Sequence, residues 1–100
     1  MMKLLTKALL KKLPGLKQSK GGADAIVYVK LFTPWSYWTW YITEYDPESE
    51  DCFGRVDGSE SELGYFSLKE LREIRGPFGL QVERDLHWEP TPLSKIERMF

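Results

Sequence analysis

The chain has a single cysteine and a single histidine among its 100 residues. One cysteine has no partner for an internal disulfide, so a reducing, cytoplasmic setting is the expectation. Cys52 and His87 alone cannot build a zinc site, and they supply no motif for a nucleophilic dyad. No apolar run approaches the about 18 residues that span a bilayer. In the opening MMKLLTKALLKKLP, Thr6, Lys7 and Lys11 interrupt any apolar signal-peptide region. That stretch reads as a structured helix, and no membrane partner is expected. The glycine-containing stretches KGGAD and GPFG match neither the Walker nor the dinucleotide pattern. Repeats and low-complexity segments are absent as well. No cofactor is expected.

Aromatic residues are what the chain has in abundance. Residues 26–45, IVYVKLFTPWSYWTWYITEY, hold three of the four tryptophans and four of the five tyrosines, with valine, isoleucine and threonine between them. Such residues suit a pleated, half-buried surface, so the segment reads as two strands joined at Thr33-Pro34-Trp35-Ser36. Period two sorts the side chains onto two faces. Val27, Val29, Leu31, Trp38, Trp40 and Ile42 form the expected core face beneath helices. Tyr28, Lys30, Thr39, Tyr41 and Thr43 form the other, which tolerates water.

Around this hairpin the chain reads in order. Thr6 suits the N-cap of a short helix with Leu5, Leu9 and Leu13 on one stripe, ended by Pro14-Gly15. KQSKGGAD is a polar connection. After the acidic turn of residues 46–51, DCFGRVDG returns as a third strand in which Gly54 signals a bulge or a close backbone approach. Asp57-Gly58 turns the chain, SESE is expected as an exposed loop, and Leu63-Gly64-Tyr65-Phe66 as a short fourth strand. Ser67 and Glu70 form a capping box opening a second helix, which Gly76-Pro77 stops. Residues 80–88 suit a fifth, edge strand or an extended arm, and residues 94–100 a last helical turn. The fold expected is one α+β domain over residues 1–100: an antiparallel meander of about four strands with helices on one face.

Charge is unevenly spread although the net charge is −1. Residues 1–32 carry seven lysines against one aspartate, and residues 33–62 carry eight carboxylates against one arginine. This asymmetry suits an electrostatic interaction surface, or two solvated faces that partly neutralise each other.

Chemistry-bearing candidates are few. In Glu83-Arg84-Asp85-Leu86-His87-Trp88, His87 could serve as a general base oriented by Asp85, or the arm could simply be tethered by ion pairs while Trp88 packs. Asp46, Glu48, Glu50 and Asp51 offer hard oxygen ligands but lack the glycine and terminal glutamate of a calcium loop, so no metal is expected. Tyr28, Tyr37 and Tyr41 with Lys30 and Arg55 could form a stacking platform for a single-stranded nucleic acid, with Lys7, Lys11 and Lys12 adding phosphate contacts. The slightly negative total charge opposes that reading. An acidic rim including Glu44, Asp46, Glu48, Glu50 and Asp51 suits a basic protein partner instead.

The segments LLTKALLKKLP, VYVKLFTP, WTWYITEYD, FGRVDG, ELGYFSLKELREIRGPFGL and VERDLHWEPTPLS together resemble a family of small bacterial proteins known only as a domain of unknown function. The resemblance covers nearly the whole chain, with KQSKGGAD as a variable link. It implies a stand-alone accessory protein of mobile DNA, of the kind common on plasmids, integrative elements and phages. It brings no catalytic residue, cofactor or substrate with it. The leading expectation is a non-enzymatic protein-interaction module using exposed aromatics and the acidic loops. A single-stranded nucleic-acid binder using the sheet tyrosines and a small enzyme centred on His87 are the alternatives.

Overall fold

The computed structural model describes residues 3–19 and 21–97. Helix α1 spans Lys7–Lys12, with the Thr6 hydroxyl accepting the Leu9 N–H at 3.3 Å, as its capping position predicts. Strands β1 (Ile26–Val27) and β2 (Val29–Phe32) are separated at Tyr28. Strand β3 (Thr39–Asp46), β4 (Asp51–Asp57) and β5 (Ser61–Ser67) follow. Helix α2 spans Leu68–Glu73, capped by the Ser67 hydroxyl on the Glu70 N–H. Two-residue strands β6 (Glu83–Arg84) and β7 (Thr91–Pro92) complete the chain.

The result is α+β with an antiparallel sheet, but the sheet has five strands in the order β5-β4-β3-β2-β6. The meander of four is present, and β6 adds the fifth strand by pairing Leu31 with Arg84 and Phe32 with Glu83. A second, two-stranded sheet joins β1 to β7. Strand β5 begins at Ser61, so half of the expected SESE loop is strand. The helices are short, and both contribute to the same face: Leu5, Leu9 and Leu13 around α1 and Leu68 and Leu71 of α2 pack with Val29, Leu31, Trp40 and Ile42. Of the last expected helical turn, a 3₁₀ turn at Leu93–Lys95 is observed, and residues 98–100 lie outside the described residues.

Two local irregularities redistribute side chains relative to strict alternation. At Tyr28 the strand breaks, which sends Val27 to the opposite face while Tyr28 packs on the helix side. Between Ile42 and Glu44 a bulge inserts Thr43, so that Tyr45, which strict alternation would set on the Tyr41 face, joins the helix-side core with Cys52. A one-residue insertion inverts the faces of everything beyond it. Gly54, opposite Ile42, has no room for a side chain: a Cβ there would lie 1.8 Å from the Tyr41 carbonyl oxygen. Trp38, expected in the core, is 39% exposed, and its ring lies over Gly58.

The second face of the sheet is not open. After β6 the chain crosses it, so that Trp88, Leu93 and Ile96 pack with Val27 and Tyr41. Trp88 Nε1 donates to the Val27 carbonyl at 3.0 Å, and the Leu93 N–H to that of Ala25 at 2.9 Å. Helices thus cover one side of the sheet, and the C-terminal arm covers the Val27, Tyr41 and Arg55 part of the other.

Candidate functional site

Arg55 and Tyr41, offered by the sequence as an exposed pair, sit at the centre of the arm-covered face. Their Cα atoms are partners across β3 and β4, and the guanidinium lies 4.7 Å from the Tyr41 ring centroid. Arg55 is only 4% exposed. It donates to Asp57 Oδ2 at 3.1 Å and to the backbone carbonyls of Ile96 and Glu97 at 3.3 and 3.0 Å. Asp57, fully buried, also accepts from the Ser61 hydroxyl at 2.6 Å. Burial, then the Asp57 charge, raises the Tyr41 hydroxyl pKa above its ordinary value, and the Arg55 charge and hydrogen bond pull it back. A buried charge needs such a set of partners, and here two of them belong to the arm.

Glu44 is also buried. Its carboxylate accepts the backbone N–H groups of Lys17 and Ser19 at 2.8 and 3.2 Å and the Ser19 hydroxyl, which fastens the α1–β1 connection to the sheet. In the acidic turn, Asp46 accepts from the Glu48 N–H and the Ser49 hydroxyl, both at 3.0 Å. Glu50 pairs with Arg72 of α2, and Asp51 is half-buried at the start of β4 opposite Ser67. Glu48 is the acidic residue of this turn that points freely outward by exposure. Among the described residues no three histidine, cysteine, aspartate or glutamate side chains cluster as metal ligands.

His87 and Asp85 do meet on one concavity, an open groove of about 630 Å³ lined with Lys30, Phe32, Tyr37, Trp38 and Leu86. Their mutual geometry is that of a turn. Asp85 Oδ1 accepts the backbone N–H of His87 at 2.9 Å, while Oδ2 faces Lys30 Nζ at 4.0 Å. Lys30 also lies 5.6 Å from the Trp88 ring centroid. Of the sequence-derived tyrosines, Tyr37 alone lines this groove.

One residue of interest was not singled out by the sequence. Phe78, in the 3₁₀ turn Pro77–Gly79, is fully exposed and has a left-handed backbone with φ 58°. The turn is held shut: the Gly76 N–H donates to Leu80 at 2.7 Å, the Leu80 N–H to Pro77 at 3.1 Å, and Arg75 bridges Gln81 across its base. The ring of Trp35 packs where a Gly76 side chain would sit. Beside the turn runs a cleft of about 330 Å³ with Leu4, Leu71, Leu80 and Val82 in its lining, bordered by Arg72, Gln81 and Glu83. The available signal was the tetrapeptide Gly-Pro-Phe-Gly itself, where an aromatic stands between two turn formers.

These features define a small α+β fold, with helices over one sheet face and the C-terminal arm over the centre of the other, that displays an ordered aromatic turn beside a cleft. The chain belongs to the family described as protein of unknown function (DUF2958), whose model matches residues 3–98. No curated protein and no solved structure matches it. Among the described residues no helix is long and apolar enough to cross a membrane.

Proposed function

We propose that this protein is a non-enzymatic interaction module that inserts Phe78 into an apolar pocket of a partner protein. The observation that carries this reading is the combination of full exposure and left-handed backbone at Phe78. A left-handed conformation costs a side-chain-bearing residue about 1–2 kcal/mol relative to glycine. An exposed phenyl ring recovers none of that within the fold. Aromatic anchors on pre-ordered loops are what protein interfaces use, because the ordering entropy is met before binding. Leu80 and the adjoining cleft extend the apolar contact area. Glu48 and the outward part of the acidic turn are then left to the rim, where charge sets rate and orientation more than affinity. The packing of Tyr28 and Tyr41 into the fold, and the Lys30–Asp85 pair, support a protein partner over a single-stranded nucleic acid. The motif resemblance supports placing the module on mobile DNA, acting in the bacterial cytoplasm as one domain.

A photo-reactive amino acid at position 78, compared with one at Ser59, tests this in the native host. The expected result is one reproducible protein adduct from position 78 and none from 59. Capture of that protein should be lost with Phe78→Ala. Equal capture by Phe78→Ala, or no adduct at 78, sinks the reading.

A further inference from the structure

The two edges of the five-stranded sheet are unlike. The β6 edge is two residues long, whereas β5 presents seven residues, Ser61–Ser67, with no strand beyond it among the described residues. A long edge leaves a row of backbone N–H and C=O groups without strand partners, and proteins blunt such edges with lysine, proline or bulges. Strand β5 carries none of the three: its sequence is SELGYFS, and the sheet's bulge lies in β3. Its exposed side chains on the arm side, Leu63 and Tyr65, are large and apolar-bodied. Tyr65 already packs edge-on against Phe53 of β4, with ring centroids 4.9 Å apart.

We propose that β5 pairs antiparallel with β5 of a second copy of this chain about a two-fold axis midway between the two copies of Gly64, making one continuous ten-stranded sheet. The register follows from symmetry. A two-fold perpendicular to a sheet must pass midway between a residue and its own copy, since opposed residues point to the same face. Gly64 is the middle residue of Ser61–Ser67, so it is the one centre that pairs all seven. Leu63 then stands opposite the partner's Tyr65, Glu62 opposite the partner's Phe66, and Ser61 opposite the partner's Ser67. The apolar stripe Phe53–Tyr65 continues onto the partner's Leu63, and the reciprocal stripe forms by symmetry. Cross-strand pairs of this kind, aromatic against aliphatic, are the stabilising unit of a sheet. Charge agrees as well. Glu62 is the one charged residue of β5, and its counterpart lies four residues, roughly 13 Å, further along the strands. No like charges are opposed. Within one chain a Cβ at Gly64 would meet nothing within 4 Å, so a substitution there leaves the fold of the chain itself undisturbed.

Sedimentation equilibrium and a cysteine cross-link together test the proposal. The native chain is expected at twice the 11.7 kDa of one chain, and Tyr65→Lys should weaken the dimer at least about tenfold. Lys11→Glu, exposed on α1, should leave it unchanged. Under mild oxidation Gly64→Cys should form a disulfide dimer much faster than Ser59→Cys, while the buried Cys52 stays silent. Circular dichroism and the thermal midpoint of each variant separate loss of association from loss of fold. A one-chain mass up to the solubility of the protein overturns the proposal. A dimer whose Gly64→Cys variant cross-links no faster than Ser59→Cys overturns it too, because the interface is then elsewhere.

Discussion

The Arg55 guanidinium stacks 4.7 Å from the Tyr41 ring centroid while its nitrogens reach the backbone carbonyls of Ile96 and Glu97. One side chain thereby joins two strands of the sheet to a segment some forty residues further along. This explains why an arm with two-residue strands stays on the sheet. It also explains why a tyrosine and an arginine that alternate outward end up inside.

Removing one member of the buried pair should be costly. Asp57→Ala leaves the Arg55 charge desolvated with backbone carbonyls and the Tyr41 ring but no carboxylate, an effect worth about 3–5 kcal/mol in buried pairs. The double variant Arg55→Met/Asp57→Leu should recover much of that stability, since apolar replacement of a buried pair is often neutral. It should not recover the arm, whose carbonyls have lost their donor. Urea unfolding measures the first effect. Hydrogen exchange of the residue 93–97 amides measures the second, and protection equal to the native chain would show that the arm is held by packing alone.

Gly54 faces the β3 bulge, where the Tyr41 carbonyl oxygen occupies the place a Cβ would take. Backbone cannot yield as a side-chain tip can. Gly54→Ala should therefore cost about 3 kcal/mol or more, the upper end of the overpacking range. The check is a lower urea midpoint with an unchanged slope, compared with Gly64→Ala, where the space is open and the midpoint should stay nearly fixed.

Cys52 is fully buried, and desolvation followed by the Asp51 charge pushes its thiol up to about 12, with the Leu68 N–H acting in the opposite direction. The unfolded chain ionises this thiol from about pH 8.5 upward and the folded chain does not. Its contribution to stability is therefore complete below that pH and lost progressively up to about 12. Tyr41 and Tyr45 are raised above 10.0, mainly by burial, and add to the same loss at higher pH. Urea midpoints should fall between about pH 8.5 and 10. In Cys52→Ala the midpoint should start lower at neutral pH, from lost packing, and fall less over that interval. An equal fall in both proteins would assign the alkaline sensitivity elsewhere.

What the sequence made legible is what neighbouring residues decide. The Thr6 and Ser67 caps, the turn between β2 and β3, and the close approach at Gly54 each depend on a few adjacent positions, and each is observed. The faces of the sheet depended on an unbroken alternation that Tyr28 and Thr43 interrupt, which is why Val27, Tyr28 and Tyr45 changed sides. Glu44 and Arg55 read as surface charges because carboxylates and guanidinium groups usually are. Their partners, Lys17, Ser19, Ile96 and Glu97, lie 25 to 42 residues away, beyond any local pattern. Phe78 was hidden for the opposite reason: phenylalanine belongs to a mainly buried class, and only the turn formers around it point to a place in solvent.

Phe78 offers the sharpest separation between folding and binding. Its ring is fully exposed, so Phe78→Ala should change stability by no more than about 0.5 kcal/mol. Its backbone is left-handed at φ 58°, a conformation that asparagine adopts far more readily than phenylalanine. Phe78→Asn should consequently stabilise the domain by about 0.5–1 kcal/mol, smaller than the full left-handed penalty because the ordinary residue is already accommodated by the closed turn. For a chain of this length that corresponds to a thermal midpoint raised by about 2–8 °C. The same substitution removes the ring and should abolish capture of the partner, so stability and binding move in opposite directions, as they do where function is held against the preference of the fold. A lower midpoint for Phe78→Asn would mean that the ring is packed within the domain, and the strained turn would then need a structural explanation.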